Sequence, residues 1–213
     1  ADITELYKEY LASLSVLFVD EDATGADSGH SWSDAFTSLQ KALTLASDGQ
    51  QIWVADGTYH PDPTGRAISF VVPSGVSVYG GFNGTEASLS QRDWHTNKTI
   101  LSGDLLDNDA GAWGFVNTLR NDNSYHVVKL YGTNPTLDGV TVSDGHANGS
   151  STWDMFGAGI DLNYTTTSPI VRNCVIENNI ASVGAAGMFT RFGLGNRTVD
   201  IENCHFRKNL ARI

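Results

Sequence analysis

The chain of 213 residues is short of several things, and each shortage removes a class of protein. It has only two cysteines, too few for a disulfide-stapled scaffold or a Cys-rich zinc site. No apolar run approaches the roughly 20 residues that a membrane-spanning helix needs. Charged residues make up only 17%, and Lys plus Arg number 13 against 24 Asp plus Glu. The net charge of −11 argues against nucleic acid or an anionic membrane as partner. The motifs H-E-x-x-H, G-x-S-x-G, P-loop and C-x-x-C are missing. Helix formers such as Glu, Lys and Met are sparse, while glycine is abundant at 22 residues, a composition of turns and strands.

Three segments repeat: DGVTVSDGHA (138–147), RNCVIENNIA (172–181) and ENCHFRKNLA (202–211). Gly139 falls over Asn173 and Asn203, Val140 over Cys174 and Cys204, and Val142 over Ile176 and Phe206. Gly145 falls over Asn179 and Asn209, and Ala147 over Ala181 and Ala211. GAGI (157–160) over AAGM (185–188) repeats out of phase with these. A period near 30 residues means stacked units rather than one closed core. Each copy alternates apolar residues with period 2 and is bounded by Asn and Gly, so each reads as strands. No helical pattern separates the copies. The expected architecture is all-β, a right-handed parallel β-helix with rungs about 4.8 Å apart. Equivalent asparagines then form amide ladders. Cys174 and Cys204 fall on neighbouring rungs, as buried thiols or as a disulfide, although adjacent parallel strands suit a disulfide badly.

Residues 1–15 read as an N-terminal extension, with a helix over 3–14 placing Ile3, Leu6, Tyr7, Tyr10, Leu11 and Leu14 on one face. The β-helix domain is expected over 16–213 with about six coils. Ser31 reads as an N-cap with Asp34 three residues on, opening a capping helix at about 31–47 through Trp32, Phe36, Leu39, Leu43 and Ala46. That helix should cover one open end of the coil. Loops at 83–98, 104–123 and 144–156 carry Trp94, Trp113 and Trp153. No capping element follows the last repeat, so a copy of the same chain, or further β-helix chain, is expected against the C-terminal end.

The block VLFVDEDATGADSGHSWSDAF, continuing through QQIWVADGTYHPD, SVYGGFNGTEASLSQRDW and LDGVTVSDGHANG, resembles secreted bacterial right-handed β-helix proteins of the pectin-lyase-like kind. The resemblance covers 16–149. The later units are similar to the chlamydial polymorphic-membrane-protein repeat, which pairs F-x-x-N with G-G-A-I. Phe206…Asn209 matches the first element, and Ile176…Asn179 matches it with Ile for Phe. The second is altered to Gly157-Ala158-Gly159-Ile160 and Ala185-Ala186-Gly187-Met188. The resemblance implies export and a place on or outside the cell envelope.

Candidate chemistry is thin. Asp138, Arg172 and Glu202 fall on successive rungs, and their alternating sign reads as a surface ion ladder rather than a catalytic set. His126 stands alone in its strand. Asp104, Asp107 and Asp109 offer hard oxygens within six residues, the kind of cluster Ca²⁺ takes, with Asp122 as a further candidate; a solvent-facing acidic loop is the alternative. No cofactor is otherwise called for. Trp94, Trp113 and Trp153, with Phe156 and Tyr164, are candidate stacking faces for sugar rings, if they do not pack on their own coil. Sequons stand at Asn83, Asn97, Asn148, Asn163 and Asn196. The leading expectation is a non-enzymatic, secreted structural or adhesive module of the cell surface that assembles end to end into filaments. A polysaccharide lyase or glycoside hydrolase and a carbohydrate-binding module for cell-surface polysaccharide are the alternatives, separable by turnover and retention on polysaccharides.

Overall fold

Alternation of apolar and polar residues over three to six positions, closed by Gly, Asn or Asp, gives short strands, and these strands stack. The computed structural model describes residues 2–109, 114–115, 117–190 and 198–212, without the side chains of Thr4 and Tyr164. The first sheet has six strands, Val16–Val19, Gln51–Ala55, Ser77–Phe82, Thr136–Asp138, Ile170–Arg172 and Asp200–Glu202. The second runs Gly57–Tyr59, Thr99–Ser102, Val140–Ser143, Val175–Glu177 and His205–Arg207. The third runs Phe70–Val72, Val128–Gly132, Ile160–Thr165 and Met188–Phe189. A short fourth sheet stacks His146–Ala147, Ile180–Ala181 and Leu210–Ala211. Neighbours are parallel throughout. The architecture is a parallel β-helix whose rungs pass from the first sheet to the second and return through the third.

The repeat register is the structural register. Val142 pairs with Ile176 and Ile176 with Phe206; Ala147 pairs with Ala181 and Ala181 with Ala211; Ile160 pairs with Met188. Inward residues of the first sheet, Leu17, Ile52, Val78, Leu137 and Val171, form one buried column. Each such side chain contributes about 1.5–3 kcal/mol by leaving water. The corner between first and second sheets turns through the left-handed region, at Gly139 (φ 79°), Asn173 (φ 52°) and Asn203 (φ 50°). Asn tolerates that conformation better than other residues with a Cβ. Asn203 Nδ2 donates to Asn173 Oδ1 at 2.8 Å, and Asn179 Nδ2 donates to Asn209 Oδ1 at 3.0 Å. The ladder ends at Gly145, because a Cβ there would lie 2.1 Å from the Ala158 carbonyl. Asn179 Oδ1 accepts from the Gly145 N–H instead, at 2.9 Å.

Both helices differ from their sequence patterns. Helix α1 spans Ile3–Ser13, and only part of its expected single face is covered. Leu11 is buried and Tyr7 and Leu14 pack on the core, while Ile3, Leu6 and Tyr10 are exposed. Gln50 ties the end of α1 to the coil by donating to the Leu11 and Leu14 carbonyls at 2.8 and 2.7 Å. The capping helix expected at about 31–47 is shorter: α2 spans only Leu39–Leu45, with Ser38 as N-cap. Residues before it are claimed by the coil. Phe36 exchanges backbone bonds with Phe18 and Asp20 (2.9 Å each) as an isolated bridge opposite Val19. The Ser31–Asp34 pair exists, with the Asp34 N–H on Ser31 Oγ at 3.2 Å, but it closes a turn rather than starting a helix. Leu39, Ala42 and Leu43 of α2 are buried against the first rungs. Both cysteines are free thiols. Among the described residues no helix is long and apolar enough to cross a membrane.

Candidate functional site

The outward face of the second sheet carries Thr141, Val175 and His205 in register on successive rungs. Beside them runs the corner of Gly139, Asn173 and Asn203. The loop at 83–98 leaves the first sheet after Phe82 and re-enters the second at Thr99, bringing Trp94, His95 and Lys98 to the rim. These three groups enclose a hollow of about 100 Å³.

The rim is firmly seated. Arg92 places its guanidinium 4.8 Å from the Trp94 ring and 5.1 Å from the Tyr79 ring. Its Nη2 meets Asp138 Oδ1 at 2.8 Å, with both side chains largely buried. Two further bonds of 3.2 Å run from Nη1 to the Gly80 and Asp138 carbonyls. A Cβ on Gly81 would fall 2.7 Å from the Trp94 backbone, so only glycine lets the loop lie this close. Trp94 is half-buried, with the His95 ring centred 5.4 Å away. Lys98 Nζ donates to the Trp94 carbonyl at 3.1 Å.

The other sequence candidates lie elsewhere. Trp153 sits on the 3-10 turn Thr152–Met155, 44% exposed, and takes no part in the hollow. Trp113 lies outside the described residues, as does Asn196, and the side chain of Tyr164 is not described. Phe156 stacks on Phe189, centroids 4.6 Å apart.

The carboxylates of the acidic loop have partners within the chain. Asp104 turns back and accepts the backbone N–H groups of Asn108 and Asp109 at 3.2 and 2.8 Å. Asp109 meets Arg120 at 3.0 Å and Asn123 Nδ2 at 2.7 Å. Asp107, 74% exposed, points to His60 at 3.4 Å. The cation between Asp109 and Asp144 is the Arg120 guanidinium, 3.5 Å from Asp144, and only 1% exposed. Among the described residues no three acidic, His or Cys side chains group as metal ligands. Burial pushes the Asp109 and Asp144 carboxyls above the usual range, and Arg120 opposes that shift at both.

Sequence reasoning missed a second polar cluster. Asp161 and His126, each 1% exposed, share their field with Lys129. His126 Nδ1 bonds the Gly157 carbonyl at 3.1 Å, and Nε2 lies 3.7 Å from Asp154. Burial lowers the imidazole and raises the Asp161 carboxyl, and both are sealed from solvent. The outward positions of a period-2 strand were the one signal for His205 in the hollow. His95 and Lys98 had none, because they lie in an irregular loop. Arg172, read as part of an ion ladder, meets Asp200 at 2.6 Å and Glu202 at 3.2 Å, while Asp138 is taken by Arg92 and by Asn173 Nδ2 at 2.7 Å. A wider cleft of about 680 Å³ lies between α1, α2 and Pro61–Pro63, but its cation, Lys41, is held by Asp27 at 2.6 Å.

No curated protein and no solved structure matches the chain. Residues 23–210 match the family described as "Protein of unknown function (DUF1565)", a span that takes in the stacked strands from Gln51 to Arg207; the chain belongs to that family.

Proposed function

We propose that the chain is a non-enzymatic adhesive module of an extracellular surface, a rigid coil that holds a glycan at the hollow beside Trp94. One observation carries this reading: a half-buried tryptophan, held by Arg92, stands at the rim of a small hollow between a strand face and an amide ladder. An indole face covers the apolar C–H side of a sugar ring, and amides serve hydroxyls as both donor and acceptor. The strands supply stiffness and the loop supplies the contact, the usual division of labour in a solenoid.

The test is retention of the purified chain on a panel of immobilised neutral and acidic polysaccharides, with release of reducing ends and unsaturated products followed in parallel. Retention without turnover, weakened at least tenfold by Trp94→Ala, is the expected result. Turnover would replace this reading with a lyase or hydrolase, and no retention would leave a scaffold role alone.

A second role has its own observation. Ile201 and Phe206 on the rung of 200–211 are each 47% exposed, and the backbone edge beside them suits one more parallel rung. A copy of the chain or further β-helix would fill it, giving end-to-end growth. Electron microscopy of concentrated protein tests this, and particles that stay monodisperse would count against self-assembly.

A further inference from the structure

We infer, resting on the glycan-binding reading, that the hollow beside Trp94 takes an acidic sugar, with its ring against the indole and its carboxylate towards Lys98 and His205. The argument is the contrast between the hollow and the rest of the chain. Across the sequence acidic side chains outnumber Lys and Arg by 24 to 13. Among the described residues that line the hollow none is Asp or Glu, and the side chains able to carry positive charge are Lys98, His95 and His205. Asp138, the carboxylate bonded to the flanking ladder, does not line the hollow and is neutralised by Arg92 at 2.8 Å. The ladder then runs one way, Asn203 donating to Asn173 and Asn173 donating to Asp138, so no carboxylate oxygen is directed into the hollow by these bonds.

Lys98 is also placed. Its bond to the Trp94 backbone carbonyl uses one of three N–H donors, and both residues line the same hollow. The remaining donors can meet an anion bound on the same ring. Charge-assisted bonds of this kind are about twice as strong as neutral ones. A neutral sugar would gain the stacking alone. In a chain of net charge −11, long-range attraction does not favour an anion, so selectivity must come from these short contacts.

The experiment titrates the intact chain with a glucuronate-terminated oligosaccharide and with its glucose-terminated counterpart, by calorimetry at low and physiological salt. The expected result is a preference of about tenfold for the acidic sugar, one charge-assisted bond's worth, shrinking as salt rises. Lys98→Gln and His205→Gln should each weaken the acidic sugar more than the neutral one and so reduce that preference, whereas Trp94→Ala should weaken both sugars alike. Both polar positions are exposed, and circular dichroism of each variant checks that the coil is intact. Equal affinity for the two sugars, or a preference that survives Lys98→Gln and His205→Gln combined in one chain, overturns the inference while leaving the glycan reading in place. Binding of neither sugar removes both.

Discussion

Cys174 and Cys204 show how far stacking alone changes a side chain's chemistry. The two occupy equivalent positions on neighbouring rungs, yet Cys174 is wholly buried and Cys204 only partly. The neighbouring Cys174 side chain lowers Cys204 from its ordinary 9.0 to about 7, while burial pushes Cys174 well up. The thiolate is the reactive form. Alkylation of Cys204 by iodoacetamide should therefore rise with pH about a midpoint near 7, with Cys174 unreactive in the folded chain. Cys174→Ala removes that neighbour and should move the midpoint back towards 9; an unmoved midpoint would rule out the thiol pair as its cause. Residue identity was enough to pair these positions. It was not enough to rank them, because burial depends on which rung lies above.

Individual elements were legible where the pattern was periodic and local. The strands at 140–142, 174–176 and 204–206 and their register follow from alternation and repeat alone. The helix at 31–47 did not, and the reason is Phe36. Its position in the 3.6-residue stripe is real, but a parallel bridge to the first strand and burial beside Phe18 and Asp20 win over helix propensity. The hollow was only half legible: Trp94 could be chosen as an exposed-loop aromatic, whereas Lys98 and His95 meet His205 through an irregular loop whose path no periodicity encodes. The amide ladder is the element with the clearest energetic prediction. Asn179 is fully buried, its Nδ2 serving the Val142 and Glu177 carbonyls at 3.2 and 2.9 Å as well as Asn209. Asn179→Ala leaves these groups and the Gly145 N–H unpaired in the interior and should cost about 3 kcal/mol in urea denaturation. Asn209→Ala, half-buried and open to water, should cost about 1 kcal/mol. Equal losses at both would mean that burial does not set the ladder's worth.

In the whole molecule each rung touches only its neighbours, so stability is close to a sum of rung and interface contributions. Rungs with partners on both sides and sealed cores, such as Leu137 to Val142 and Val171 to Ile176, should hold the slowest-exchanging amides. The strands at 200–211, whose outward and axial side chains are exposed, should exchange fastest. Hydrogen exchange read by mass spectrometry checks this, and uniform protection along the stack would show that the coil opens as one unit instead.

The parallel strands give the molecule a mechanical grain. Backbone bonds between rungs point along the coil axis, so tension applied end to end would meet them one rung at a time, as in a zipper. Tension applied across the axis would load several ladders at once and shear them together. A coil of this build would resist force in one direction and peel in the other, so the angle at which a load reaches it would govern how long it holds.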